Sequence, residues 1–216
     1  CLTGTMGFKR NLTPAEIVGQ VCAIQADLAD KDKGRISNLV FMGMGEPFDN
    51  TDSVIKALEI ITSDYGLAIS PRKITVSTVG LIPGMKKFLE QSRCQLAISL
   101  HSPFDDERAS LMLIENIYPI HKVIEVLKTF SFEKQRRLSF EYILFAGLND
   151  TNRHINELAR LLNGLRCRIN LMKYHPLPGT PLKGTDNSTL QNFRDRLDKK
   201  GITATIRVSR GEDIMA

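Results

Sequence analysis

Short apolar, β-branched runs alternate with helical stripes along the whole chain, and this alternation most constrains its fold. The strand-type runs lie at 39–42, 74–79, 95–101, 138–145, 168–174 and 202–208. Between them, apolar residues recur at spacings of three and four, as they do on one face of a helix. No proline- or serine-rich linker interrupts the series. The pattern predicts one α/β domain over residues 1–216, with a parallel sheet that is either an incomplete barrel or an open doubly wound sheet.

The composition limits the classes of protein that this chain can belong to. Of its 216 residues, 42% are hydrophobic and 25% are charged, as in soluble globular proteins. No apolar run approaches the roughly 20 residues that span a bilayer, so no membrane association is expected. The net charge of +5 is compatible with an anionic partner such as nucleic acid. Cys22, Cys94 and Cys167 are widely spaced, which predicts buried free thiols in a reducing compartment.

The stretch from Asn38 to Pro47 ends a predicted strand in an unusual way. Its apolar part, residues 39–42, fits a strand that is buried on both faces. Gly43 and Gly45 then leave bare backbone against which a ligand could lie. Pro47 biases Glu46 away from the helical region, which keeps the carboxylate at the strand's end. The alternative is an ordinary strand-to-helix turn with a solvated glutamate.

Polar residues predict the starts of three helices. Thr13 is followed by Pro14 and, three residues on, by Glu16, which is the pattern of a capping box. Asp150 and Ser188 are the predicted N-caps of two later helices.

Glycine and polar side chains recur where the predicted strands end. They are Gly45, Glu46, Ser77, Thr78, Ser99, His101 and His175. The carboxyl ends of all strands open on one face of a parallel barrel, so these residues predict a single site. Glu141 lies in the middle of its strand and either faces the barrel interior or forms an ion pair. The sequence contains no glycine-rich dinucleotide fingerprint and no Walker loop.

Seven motifs follow one another along the chain: CLTGTMGFKRNL at 1–12, MGMGEP at 42–47, VST at 76–78, SLH at 99–101, EY at 141–142, LND at 148–150 and RGEDI at 210–214. In this order they resemble, over essentially the whole chain, the radical S-adenosylmethionine (SAM) RNA adenine-C2 methyltransferases of the RlmN/Cfr type. A lone Gly-Glu-Pro is a weak signal, whereas the ordered set is a specific one.

The resemblance implies a partial (β/α)6 barrel of the TIM-like, radical SAM type. Cys1 corresponds to the third cysteine of the family's CxxxCxxC motif, whose thiolates hold a [4Fe–4S] cluster. Glu46 corresponds to a residue that contacts the amino group of SAM. His175 stands where the family usually has an asparagine. The implied SAM contacts in this chain are Gly45, Glu46, Ser77, Ser99, Leu100, His101 and His175.

The implied activity is methylation of C2 of an adenine in 23S rRNA and, for some members, in tRNA. The C2 carbon is not nucleophilic, so the family uses a radical and a methylated cysteine instead of polar methyl transfer. An electron donor such as flavodoxin is expected. A monomer in the cytoplasm, or in an organelle interior such as that of a plastid, is also expected.

The sequence departs from the family in what it lacks. The methyl-carrying cysteine normally follows the 210–214 motif by a few residues, and Ala216 is the last residue given. The resolving cysteine and the first two cluster cysteines are also missing from the sequence given. The expectation is a core fragment, trimmed on both sides, that is inactive by itself.

Two alternatives belong to other functional classes. One is a catalytically inactive RNA-binding barrel, in which Lys9, Arg10, Lys86, Lys87, Arg136 and Arg137 contact phosphates. The other is a lyase or aldolase without iron, for which Lys173 is the one lysine near the end of a predicted strand.

Overall fold

The structure is a computed structural model and describes residues 7–42, 45–132, 137–176 and 179–207. Its strands are β1 Leu39–Phe41, β2 Ile74–Thr78, β3 Gln95–Ser99, β4 Leu138–Leu144, β5 Cys167–Lys173 and β6 Thr203–Arg207. Its α-helices are α1 Pro14–Asp30, α2 Thr51–Thr62, α3 Ile82–Gln91, α4 Asp105–Leu111, α5 Ile120–Leu127, α6 Asn152–Leu161 and α7 Asn187–Lys199. Three short 3-10 helices lie at Pro47–Asn50, Pro71–Lys73 and Leu113–Asn116.

The six strands form one sheet in which each strand neighbours the next in chain order. Pairing is parallel between β1 and β2, between β4 and β5, and between β5 and β6. Parallel neighbours need a crossover connection, and a helix lies between every two successive strands. The prediction of an α/β fold on a parallel sheet is therefore confirmed.

The chain divides into two compact units. The first consists of Cys1–Ala97 and Glu133–Arg137, and the second of Ile98–Phe132 and Leu138–Ala216. Each unit is described by itself below. The single domain expected from the sequence stays a prediction.

The core of the first unit lies between β2 and the helices α2 and α3. The apolar stripe of α2, which consists of Val54, Leu58 and Ile61, is buried. The Phe48 and Phe88 rings meet at a centroid distance of 5.3 Å, which packs the Pro47–Asn50 3-10 helix against α3. The residues that follow Glu46 are therefore anchored by aromatic packing.

The helix α1 begins as predicted but does not bury its apolar stripe. The Thr13 hydroxyl accepts from the Glu16 backbone N–H, and the Glu16 carboxylate accepts from the Thr13 N–H, which completes the capping box. None of the residues of α1 is buried, and Ile24 is 56% exposed. The cap stabilises the start of the helix, and contacts with α2 cover its apolar face only in part.

The prediction that residues 39–42 are buried on both faces is wrong. Leu39 and Phe41 are half-buried, Val40 is 47% exposed and Met42 is also exposed. The reason is that β1 is the terminal strand of the described sheet and pairs only with β2. An apolar run without alternation is typical of a buried strand, but it does not reveal whether the strand lies at an edge.

Gly84 allows α3 to approach the segment after β1. A Cβ added at Gly84 would lie 2.5 Å from Thr51 Oγ1 and 2.6 Å from Phe48 Cβ. We expect Gly84→Ala to lower the free energy of unfolding by about 1–3 kcal/mol, because the added methyl overpacks this contact. Urea titration followed by circular dichroism measures the change.

A matched control is Gly19→Ala in α1, where the added Cβ meets nothing within 4 Å. Because glycine is a poor helix former, this variant should gain about 0.5–1 kcal/mol. An equal effect of the two substitutions would contradict close packing at Gly84.

The core of the second unit lies between β4, β5 and the helix α7. The Tyr142 and Phe193 rings stack at a centroid distance of 5.7 Å, so Tyr142 faces α7. Phe140, Leu144, Ile169 and Leu171 are also fully buried. Because side chains alternate along a strand, Glu141 points to the sheet face opposite to Tyr142.

Two predicted helix caps are wrong by one or two residues. The N-cap of α7 is Asp186, whose side chain accepts from the Thr189 N–H at 2.8 Å, while the Ser188 hydroxyl donates to Asp186. The N-cap of α6 is Thr151, and Asp150 accepts from the Gly147 N–H at 3.1 Å instead. Several adjacent residues that favour caps make the cap position ambiguous in the sequence.

Within the part of the chain that the structure describes, none of the helices is both long enough and apolar enough to cross a bilayer.

Candidate functional site

In the first unit, Glu46 connects the carboxyl ends of two strands. One carboxylate oxygen, Oε1, accepts from the Phe48 N–H at 3.1 Å and from the Thr78 hydroxyl at 2.6 Å. The other, Oε2, accepts from the Val79 N–H at 2.9 Å. A solvated glutamate at an ordinary turn is therefore excluded. Burial raises the pKa of Glu46, while the hydrogen bonds from Thr78, Val79 and Phe48 oppose that shift.

The neighbours of Glu46 differ in what they can offer a ligand. Gly45 is exposed and adopts a φ of +133°, a conformation that side chains rarely take, so the backbone stays bare here. Ser77 is buried, and the structure records no hydrogen bond for its hydroxyl among the described residues. The adjacent Thr78 hydroxyl is occupied, because it donates to Glu46 and accepts from the Gly80 N–H at 3.1 Å. Thr78 thus orients the carboxylate, and Ser77 keeps a hydroxyl available.

In the second unit, β3 ends in a tight turn that is centred on His101. The Ser102 N–H donates to Leu100 O at 2.7 Å, and His101 has a φ of +56°. This is a γ-turn in its rare, strained form, occupied by a residue with a side chain. The Ser99 hydroxyl, next to the turn, has no recorded hydrogen bond within the described residues.

The buried side chain of Arg108, in α4, stabilises this turn through hydrogen bonds. Its side chain is fully buried, with Nε donating to Leu100 O at 3.0 Å and Nη2 to Ser99 O at 2.8 Å. The remaining nitrogen, Nη1, bonds to Glu115, whose Oε1 accepts from the Ile120 N–H at 2.8 Å. Burial lowers the pKa of Arg108, and Glu115 acts in the opposite direction. The sequence did not identify Arg108, because its surroundings, DDERAS, have the composition of a solvated helix.

Asn149 fixes the other side of the turn. It is completely buried, and its amide nitrogen donates to His101 O at 2.6 Å and to Ile143 O at 2.8 Å. Its amide oxygen accepts from the Phe145 N–H at 2.7 Å. Each of these amide atoms is thus used within β4 and the turn. The motif at 148–150 includes Asn149, but nothing in the sequence pattern connects this residue with His101.

The His101 ring is neutral and holds its proton on one nitrogen. Nδ1 lies 3.1 Å from the Ile143 N–H and accepts from it, so the ring proton must be on Nε2. Burial and the charge of Arg108 lower the pKa of His101 to about 4. The Nε2–H group has no recorded partner among the described residues.

Glu141 belongs to a polar row that crosses three strands. It pairs in register with Asn170, which pairs in register with Thr205. The Asn170 amide donates to Glu141 Oε1 at 2.7 Å, and the Thr205 hydroxyl donates to the Asn170 oxygen at 2.7 Å. Glu141 Oε2 accepts no hydrogen bond from the described residues but lies 3.5 Å from Arg207 Nη1. Of the two possibilities left open for Glu141, the ion pair is present in a loose form, and the side chain lies on the sheet face away from α7.

The cysteines of the described residues do not form a metal site. Cys94 is buried as expected, whereas Cys167 is half-buried and Cys22 is exposed, which corrects the expectation of three buried thiols. Burial raises the pKa of Cys167 to about 12, which disfavours the thiolate that a metal needs. Among the residues described, no group of three or more His, Cys, Asp or Glu side chains is placed to hold a metal ion. Cys1, the predicted cluster ligand, lies outside them.

The two remaining candidates follow β5. Lys173 ends the strand and is exposed, and His175 lies two residues further on and is half-buried. An exposed lysine lacks the apolar enclosure that activates lysine nucleophiles, which argues against a lyase based on Lys173.

Comparison with known proteins identifies the class of this chain. No family model matches it. It is 51% identical over 216 residues to a "Probable dual-specificity RNA methyltransferase RlmN" of Bacteroides thetaiotaomicron, covering 100% of this chain and 61% of the relative. It is 42% identical to the "Dual-specificity RNA methyltransferase RlmN" of Syntrophobacter fumaroxidans, covering 100% of this chain and 63% of that relative.

A solved structure shows the same fold. The crystal structure of a radical SAM methyltransferase from Sphaerobacter thermophilus matches with a TM-score of 0.93 and 40% identity, over 99% of this chain and 63% of that one. The fold is thus that of the radical SAM methyltransferases. Within this class, the chain belongs to the RlmN-type family. It spans about three fifths of the length of the relatives that it matches.

Proposed function

We propose that the chain is the SAM-binding core of an RNA methyltransferase that modifies C2 of an adenine in 23S rRNA and in tRNA. The observation that carries the proposal is a set of polar groups near strand ends that the described residues leave available. These groups are the hydroxyls of Ser77 and Ser99 and the Nε2–H of His101, and sequence resemblance assigns all three residues to SAM. The names of the relatives support RNA as the substrate.

The polar groups match the chemistry of SAM. The carboxylate of Glu46 accepts three hydrogen bonds from the protein, and a carboxylate has about four acceptor positions. One position is thus left for the ammonium group of SAM, and the opposite charges strengthen that contact. The bare backbone at Gly45 lets the ligand approach Glu46 closely. The resemblance assigns hydrogen bonds with the other polar atoms of SAM to Ser77 of the first unit and to Ser99 and His101 of the second.

The family also implies a [4Fe–4S] cluster, with Cys1 as one thiolate ligand. When bound, the cluster would supply the electron for reductive cleavage of SAM. Within the described residues, no group of three or more His, Cys, Asp or Glu side chains is placed to hold a metal ion. This part of the chain binds and orients SAM. It also keeps the Glu46 carboxylate hydrogen-bonded and the His101 ring neutral.

The partners follow from the same proposal. RNA is the substrate, and a net charge of +5 favours the approach of a polyanion. The electron donor is a small redox protein such as flavodoxin. A monomeric state and a cytoplasmic or organellar location stay predictions.

The test uses the full-length protein from which this sequence comes, with SAM binding measured by isothermal titration calorimetry and methyl transfer to RNA followed by mass spectrometry. We expect Ser99→Ala to weaken SAM binding about 3- to 10-fold, because one hydrogen bond to the ligand is lost. Ser110→Ala is the control, since the Ser110 hydroxyl is exposed on α4 and donates to Glu107 O. Equal affinities for SAM in the two variants would contradict the assignment of Ser99.

The inactive RNA-binding barrel has less support. Of its proposed phosphate contacts, Arg10 is paired with Glu16 and Lys87 with Asp52. Arg136 lies outside the described residues. RNA binding with steep salt dependence, in a full-length protein that has no affinity for SAM, would favour this alternative.

A further inference from the structure

The strained turn at His101 is held by two buried polar side chains, Arg108 and Asn149. A residue with a Cβ persists at positive φ only where its surroundings determine the conformation, and such residues concentrate at functional sites. Here Arg108 bonds to the two carbonyls before His101, and Asn149 bonds to the carbonyl of His101 itself. Burying a guanidinium and an amide is costly unless their hydrogen bonds are made. The whole arrangement converges on one short segment.

The same contacts decide what the His101 ring can do. The Asn149 amide joins the His101 carbonyl to the Ile143 carbonyl, and the Ile143 N–H donates to the ring. The turn and the ring are thus tied to the same residue of β4. With Nδ1 occupied as an acceptor, the ring presents one donor, Nε2–H, and no free acceptor.

We propose that Arg108 and Asn149 are positioning residues that hold His101 as a neutral, single-tautomer hydrogen-bond donor to an acceptor atom of the bound nucleoside ligand. That the ligand is SAM rests on the proposed function. The restraint on the His101 ring does not depend on the identity of the ligand, because it follows from contacts within the second unit. His101 is accordingly a binding residue that neither takes up nor releases a proton.

The first experiment determines the tautomer directly. Long-range ¹H–¹⁵N spectra of the full-length protein labelled at histidine report which imidazole nitrogen carries the proton. We expect His101 at pH 7 to show a protonated Nε2 and an unprotonated Nδ1, and we expect the Nε2 signal to shift when SAM is added. A proton on Nδ1, or an Nε2 signal that SAM leaves unchanged, would overturn the proposal.

The second experiment separates donation from general packing. His101→Leu removes the donor and should weaken SAM binding at least 10-fold, whereas His101→Gln keeps an N–H and should recover part of the affinity. His121→Gln is the control, because His121 is partly exposed on α5 and pairs with Asp105. Equal losses in the Leu and Gln variants, with unchanged thermal unfolding, would show that His101 does not act as a donor.

The third experiment tests the positioning residues. Asn149→Ser should weaken SAM binding and should also allow the proton of His101 to occupy either ring nitrogen, an effect that a structural role alone does not predict. If the variant does not fold, the tautomer of the wild-type protein still decides. Failure of wild-type protein to bind SAM refutes the proposed function, whereas SAM binding with normal affinity in His101→Leu refutes only the present inference.

Discussion

Replacing Arg108 with methionine is expected to lower the free energy of unfolding by about 3–5 kcal/mol, because a charged partner stays buried. Methionine can replace the unbranched aliphatic part of arginine, but its side chain has no hydrogen-bond donor. Glu115, which is also buried, would lose its ion pair, and the carbonyls of Ser99 and Leu100 would lose their donors. Guanidinium chloride titration of the full-length protein, followed by circular dichroism, measures the loss.

The double variant Arg108→Met with Glu115→Leu provides the control. Replacing a buried ion pair by apolar side chains is often neutral or stabilising, so the double variant should recover part of the lost stability. Both the single and the double variant should bind SAM more weakly than the wild type, because the carbonyls of the β3 turn lack their donors in each. A single variant that loses less than about 1 kcal/mol would show that the pair contributes little to stability.

The sequence predicted the parts of the fold that depend on local patterns. The alternation of strands and helices, the buried face of α2 and the Thr13–Glu16 capping box all follow from residues a few positions apart. The exposure of Val40 did not follow, because it depends on which strand lies at the edge of the sheet. Strand order is a property of the whole chain, and the apolar run at 39–42 contains no information about it.

The sequence indicated positions at strand ends but not the contacts that surround them, and the assignment of these residues to SAM stays a prediction. Glu46, Ser77 and His101 stand at strand ends in the sequence, and the structure gives each a defined environment there. The supporting residues Arg108 and Asn149 are distant from Ser99 and His101 in the chain, and their polar character predicts exposure. A buried arginine is recognisable only once its acceptors are in place, so sequence periodicity could not reveal it.

Replacing Glu46 with glutamine is expected to weaken SAM binding about 10- to 100-fold, because the contact with the ligand's ammonium group loses its charge. Glutamine has the same shape, but its NH2 group would face one of the donors that Glu46 now accepts from: Thr78 Oγ1, Val79 N–H or Phe48 N–H. Burial raises the pKa of Glu46, so the carboxylate takes up its proton at a higher pH than an exposed glutamate does. The SAM affinity of the wild-type protein should therefore fall as the pH is lowered through this pKa, and the glutamine variant should not show that decrease.

Two control variants separate the charge of Glu46 from its position. Asp64→Asn removes an exposed carboxylate that follows α2 in the same unit and should leave the affinity for SAM unchanged. Thr78→Val keeps the carboxylate but removes the hydroxyl that orients it. The affinity of this variant for SAM should be intermediate between those of the wild type and Glu46→Gln. Calorimetric titration of the full-length proteins with SAM gives these affinities, and thermal unfolding identifies any variant that is not folded. A folded Glu46→Gln protein that binds SAM within twofold of the wild type would mean that the carboxylate only joins β1 to β2 and does not contact the ligand.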